Sequence, residues 1–226
     1  MGTIICIGGL VGLKNKEKVF IPYSPRKIDF EIMKLSTKVN PKVLFIGTAS
    51  SEREDYYISF KNAYESLGAI VENLCILNNN ITFEEIRKKI LSSDIIYVGC
   101  GKTKFMMDVW KSKGIDKCLI EAYKKDIILA GMSAGSYCWF KYNYEMIEGL
   151  DLIHMINCVH YDEKSKEKKK QFFDNIKENN LRGIAIDNDA SLIFSDTDYK
   201  IVKNYENSKA YDIVFENGKF IEKEIK

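Results

Sequence analysis

Short apolar runs alternate with amphipathic stretches along most of the chain. That alternation restricts it to an α/β architecture, in which buried strands are separated by helices on the surface. Residues 1–7 read as a first strand, and 43–46 as a second that ends at Gly47-Thr48-Ala49-Ser50. A helix over 56–67 follows, closed by Gly68 as its cap. Residues 70–77 are the next strand, and Thr82 with Glu85 forms a capping box that opens another helix. Residues 95–98 are a strand running into Gly99-Cys100-Gly101-Lys102-Thr103, after which a helix leads to a short strand over 127–130. The C-terminal stretch changes character. Segments 184–186, 191–194, 201–202 and 213–215 are short and apolar, separated by turn signals such as Asn217-Gly218. They predict an antiparallel C-terminal edge on a mostly parallel sheet flanked by helices.

The length of 226 residues suits one α/β domain with a sizeable core, and with three prolines and no low-complexity linker the domain is expected to span residues 1–226. Thirty-four basic against 32 acidic residues leave a net charge of +2, which gives no general case for nucleic-acid or membrane binding. No apolar stretch is long enough to span a bilayer, and the N-terminus lacks the pattern of a signal peptide. The six cysteines, at 6, 75, 100, 118, 138 and 158, form no C-x-x-C pair, which argues against zinc and thioredoxin-type sites. Most lie in apolar stretches and read as small buried hydrophobes in a reducing cytoplasm.

Chemistry concentrates in Ala130-Gly131-Met132-Ser133-Ala134-Gly135-Ser136. A buried strand ends, a sharp turn flanked by glycines follows, and a helix is expected to begin at Ser133. This is the logic of a nucleophile elbow, which raises a serine hydroxyl above the end of a sheet. The Ala134 N–H at the helix start is a natural oxyanion donor. A serine nucleophile needs a base, and the chain has two histidines, His154 and His160. His160 follows a short apolar run, where an α/β fold places active-site residues; His154, inside Leu152-Ile153-His154-Met155, reads as a packed or surface histidine. A third group should orient the imidazole. Asp187, Asn188 and Asp189, after the strand over 184–186, are all chemically capable, and strand alternation allows at most one or two of them to face His160.

These residues resemble the dipeptidase E family of serine peptidases and its cyanophycinase relatives, which have a class I glutamine-amidotransferase-like (flavodoxin-like) fold. Residues 45–50, the helix positions Tyr57, Phe60 and Tyr64, the turn 99–103, the elbow 131–135 and His160-Tyr161-Asp162 carry the resemblance. It implies a Ser/His hydrolase acting on a small peptide near its N-terminus, without metal or cofactor, as a monomer or homodimer. It maps Gly101 to the second oxyanion donor. In the cyanophycinase relatives a glutamate follows the aspartate of a Gly-Ile-x-Ile-Asp stretch; that place here is Asn188. Cys100 and Lys102 depart from the family's glycine-rich turn. The run 163–170 offers lysines but no arginine, so it lacks a bidentate partner for a substrate carboxylate and reads as a solvated face.

Other motifs fall away. A P-loop ending in Gly101-Lys102-Thr103 needs glycine at Ile96, and a dinucleotide fingerprint over 8–12 needs glycine at Ile7; residues 8–12 read instead as a turn. Beside the peptidase stand two alternatives: a non-catalytic amidotransferase-like module that binds a ligand or partner, and an amide hydrolase acting on a non-peptide substrate.

Overall fold

The computed structural model describes residues 2–10, 23–78, 80–163, 165–195 and 198–226. The turn expected over 8–12 is described only as far as Leu10, and the remainder lies outside the described residues.

Two sheets organise these residues. The larger contains β1 (Thr3–Ile7), β2 (Lys42–Ile46), β3 (Ile70–Asn73), β4 (Ile95–Val98), β5 (Ile128–Met132), β9 (Ala190–Ser195) and β10 (Asp198–Lys203), in the order β10-β9-β1-β5-β4-β2-β3. The five strands from β1 to β3 are mutually parallel, and β9 and β10 add an antiparallel edge beside β1. The smaller sheet contains β6 (Phe140–Asn143), β7 (Ile153–Val159), β8 (Gly183–Ile186), β11 (Ala210–Glu216) and β12 (Lys219–Glu224), in the order β12-β11-β8-β7-β6. Here β6, β7 and β8 run parallel while β11 and β12 are antiparallel. The C-terminal strands therefore divide between two sheets rather than lining one edge. Their alternation fixes which face is buried, but it does not name the partner strand.

The period of two explains the layers of the larger sheet. Ile5, Ile7, Val43, Phe45, Ile95, Tyr97 and Ala130 face α1 (Lys27–Lys34) and α2 (Glu54–Ser66), whose Ile28, Ile32, Phe60 and Tyr64 complete that core. Their neighbours Ile4, Cys6, Leu44, Ile46, Ile96, Val98 and Leu129 face the opposite way. They pack on α3 (Phe83–Leu91), α4 (Thr103–Lys113) and α5 (Ile115–Lys124), and on Phe140, Ile184 and Ile186 of the smaller sheet. The other face of the smaller sheet is covered by Phe172 and Ile176 of α7 (Lys166–Asn179). Thr82 caps α3 by the reciprocal bonds expected of Thr82 and Glu85.

Several spans differ from expectation, among them the single helix expected before the strand over 127–130, which is two, α4 and α5, separated by Gly114 at φ 71°. β3 stops at Asn73, and residues 74–77 form no strand; Ile76 and Leu77 spend their amides on the Glu52 carboxylate instead. The helix after Ser133 is a single turn, α6 (Ala134–Tyr137). A turn that short has little macrodipole, so its contribution lies in individual N–H groups. No helix among the described residues is long and apolar enough to cross a membrane.

Candidate active site

The C-terminal ends of β1, β4, β5, β7 and β8 converge, and each contributes a residue to one site. This is where open α/β sheets place their ligands. Ser133 follows β5 with φ 55° and ψ −109°, a strained conformation for a residue with a side chain. Its own N–H donates to Ile7 O at 3.0 Å, which ties the elbow to the end of β1. The turn is tight enough that a Cβ on Gly131 would lie 2.0 Å from Gly135 O.

His160 follows β7, also in the left-handed region at φ 53°. Its Nε2 lies 2.9 Å from Ser133 Oγ and its Nδ1 lies 2.6 Å from Asn188 Oδ1. Ser133, His160 and Asn188 thus form a continuous chain of hydrogen bonds. The amide of Asn188 contacts the Asp162 carboxylate, Nδ2 donating to Oδ1 at 3.0 Å and to Oδ2 at 3.2 Å, while the backbone N–H of Asn188 reaches Oδ1 at 2.8 Å.

The flanking acids point elsewhere. Asp187 accepts from the Lys209 backbone N–H at 3.0 Å, and burial pushes its carboxyl up to about 6, with that bond opposing the shift. Asp189 is buried at 1% exposure and accepts from Arg26 Nη1 at 2.6 Å and Asn204 Nδ2 at 2.9 Å. It anchors the 23–34 segment to the loop carrying Asn188. His154 lies on the exposed surface, paired with Asp151 at 2.9 Å.

Gly101 and Ala134 flank the elbow on the β4 and β5 sides. Neither N–H donates to an acceptor among the described residues. Gly101 has φ 145°, and a Cβ there would lie 2.1 Å from Ala49 O, so the turn admits glycine only.

A cavity of about 800 Å³ opens beside His160, lined among others by Lys102, Tyr144, Glu145, Glu163 and Lys168. The run 163–170 is not uniformly solvated, as its pattern suggested. Lys168 is 13% exposed, donates to His160 O at 3.3 Å and sits 5.2 Å from the centre of the Tyr144 ring. Lys169 lies 3.9 Å from the centre of the Tyr161 ring. Stems of lysines can cover apolar and aromatic surface in this way. No cluster of three or more His, Cys, Asp or Glu side chains fit to hold a metal occurs among the described residues.

Gly9 and Asp162 are the site residues that motif reasoning passes over. A Cβ on Gly9 would lie 2.3 Å from both His160 Cε1 and Asn188 Oδ1. Asp162 stands in the His160-Tyr161-Asp162 segment, but its contact with residue 188 depends on how two loops meet. Neither spacing nor composition signals it.

The mostly parallel sheet, its flanking helices and a serine at the elbow define a class I glutamine-amidotransferase-like fold with the features of a serine hydrolase. The solved structure of a peptidase from an acI-B1 Actinobacterium matches it with a TM-score of 0.73 at 17% identity, covering 100% of this chain and 96% of that one. A candidate peptidase E protein from Listeria monocytogenes EGD-e matches with a TM-score of 0.67 at 20% identity, covering 90% and 98%. In sequence, the uncharacterized peptidase YgaJ of Bacillus subtilis is 28% identical over 196 residues, 83% of this chain and 84% of that protein. An uncharacterized peptidase of Listeria monocytogenes is 35% identical over 123 residues, 53% of this chain and 58% of that one. The model of peptidase family S51 matches residues 24–202. The chain belongs to peptidase family S51, the dipeptidase E family, and is a serine-type peptidase.

Proposed function

We propose that this peptidase hydrolyses small peptides near their N-terminus through an acyl-enzyme on Ser133. The observation that carries the proposal is the unbroken chain from Ser133 Oγ to His160 Nε2 at 2.9 Å and from His160 Nδ1 to Asn188 Oδ1 at 2.6 Å. In this reading His160 takes the Ser133 proton as Oγ attacks the scissile carbonyl. The N–H groups of Gly101 and Ala134 hold the oxyanion, each worth about 3 kcal/mol in comparable sites. His160 then protonates the leaving amine, and water hydrolyses the ester, returning the proton through the same imidazole.

Asn188 orients the ring as asparagine does in papain-like sites. The cavity supports a small substrate, since about 800 Å³ falls within the range of small-molecule sites. Its mixed lining, Lys102 and Lys168 with Glu145 and Glu163, suits a zwitterion such as a short peptide with both termini free. Every group invoked comes from one chain, so a monomer suffices and a homodimer carries two such sites. The core that joins Leu129 and Trp110 to Ile184 and Phe140 supports one peptidase domain over 1–226. Six free cysteines suit a reducing cytoplasm.

A fluorophosphonate probe tests the nucleophile. Wild-type protein is expected to label at Ser133, and both Ser133→Ala and His160→Ala to lose labelling. Folded wild-type protein that does not label would refute the acyl-enzyme and favour a binding module. A dipeptide library separates peptide from non-peptide substrates, because a labelled enzyme that cleaves no dipeptide would point to another amide.

A further inference from the structure

We infer that Asp162 is a positioning residue that fixes the orientation of the Asn188 amide and, through it, the proton-bearing nitrogen of His160. An asparagine offers an oxygen at one end of its amide and an NH2 at the other, and the imidazole can meet either. If the oxygen faces Nδ1, the ring carries its proton there and Nε2 is free to accept from Ser133. If the NH2 faces Nδ1, that nitrogen must accept, the proton moves to Nε2 and the base is lost. Exchanging a carboxylate for an amide behind a catalytic histidine creates this ambiguity.

Asp162 removes it. A carboxylate can only accept, so the end of Asn188 lying 3.0 and 3.2 Å from its oxygens must be the NH2, and the oxygen is left for Nδ1. The backbone N–H of Asn188, also donating to Asp162 at 2.8 Å, fixes the loop in register with the carboxylate. No other nearby acid among the described residues fills this role. Asp187 is taken by Lys209 N–H, Asp189 by Arg26 and Asn204, and the Glu163 carboxylate stands 3.8 Å from Nδ1. Asp162 is exposed to solvent, so its influence is that of one wet charge-assisted pair, about tenfold in turnover.

The inference builds on the proposed hydrolase, but its main test does not need turnover. With two histidines in the chain, 15N-histidine labelling lets long-range 1H–15N correlation read each tautomer at a pH where the ring is neutral. Wild-type His160 is expected as the Nδ1–H form. Asp162→Ala is expected to shift it toward Nε2–H, and Asp162→Asn, whose oxygen can still accept from Asn188, to retain Nδ1–H. A wild-type ring without Nδ1–H, or an unchanged tautomer in Asp162→Ala, would overturn the inference.

Turnover supplies a second reading. Asp162→Ala should lose about tenfold in the native background. In the Asn188→Asp background the same change should gain, because the introduced carboxylate needs no orienting and is repelled by Asp162. Equal losses in both backgrounds would mean that Asp162 merely supports the loop. A wild-type Nδ1–H tautomer in a protein that neither labels nor hydrolyses would refute the hydrolase and leave the positioning role intact.

Discussion

Gly9 offers the sharpest test of how closely the site is packed, because its replacement adds one methyl group against the His160 ring without removing any group of the proposed mechanism. In Gly9→Ala the new Cβ would lie 2.3 Å from Asn188 Oδ1, 2.3 Å from His160 Cε1 and 2.5 Å from His160 Nδ1. Ordinary contacts begin near 3.4 Å, so something must move by about 1 Å. The ring cannot yield freely, being held by Ser133 at 2.9 Å and Asn188 at 2.6 Å. Gly9 cannot yield freely either, since its carbonyl accepts from Asp189 N–H at 2.8 Å and Gly8 N–H donates to Ala190 O at 3.0 Å. A misplacement of about 1 Å in a catalytic pair costs on the order of a hundredfold in rate. The assay is the rate of fluorophosphonate labelling and of dipeptide hydrolysis, with circular dichroism to establish that the variant folds. Unchanged turnover in folded Gly9→Ala protein would refute the packing and, with it, the ring position that the mechanism uses.

Three further outcomes follow from the same geometry. Gly101→Ala, whose Cβ would lie 2.1 Å from Ala49 O, is expected to displace the Gly101 N–H and lower kcat by about a hundredfold, measured by steady-state hydrolysis. Arg26→Ala leaves the buried Asp189 carboxylate without its 2.6 Å partner and is expected to cost about 3 kcal/mol in urea unfolding. Burial lifts the Asp187 carboxyl from 3.8 to about 6, so between those values the folded protein holds a proton that the unfolded chain has released. Its contribution is therefore favourable below about 4 and lost as pH rises through 6. Asp187→Asn, which mimics the protonated form and can still accept from Lys209 N–H, is expected to gain about 1 kcal/mol at neutral pH after allowance for solvent screening, and almost nothing near pH 4. Paired denaturant titrations at the two pH values check this.

Much of this arrangement is legible in the chain. The strand ends before Gly47 and Gly99 stand out because a buried strand needs an unbroken apolar run and its exit needs a turn residue, whereas β5 runs through Gly131 to Met132, two residues past the expected end. Ser133 stands out because its motif joins such a run to a turn. His160 follows from the scarcity of histidine and its place after β7. What is not legible depends on contacts between distant segments. The short strands β8 and β9 have the same apolar character, yet they enter different sheets. Residues 187–189 all follow β8, and only the fold turns residue 188 toward the imidazole while 187 meets Lys209 and 189 meets Arg26. Gly9 and Asp162 become visible only when loops from both sheets are brought together.

The two-sheet construction also has a consequence for partial unfolding. The proposed nucleophile hangs from β5 in the larger sheet, whereas the proposed base and its amide partner follow β7 and β8 in the smaller one. Either sheet could retain its strands and helices while the chemistry vanished, if their seam around Leu129, Phe140, Ile184 and Ile186 loosened. Reactivity of Ser133 therefore reports the docked population, and under mild denaturation it should fade before the far-ultraviolet signal does.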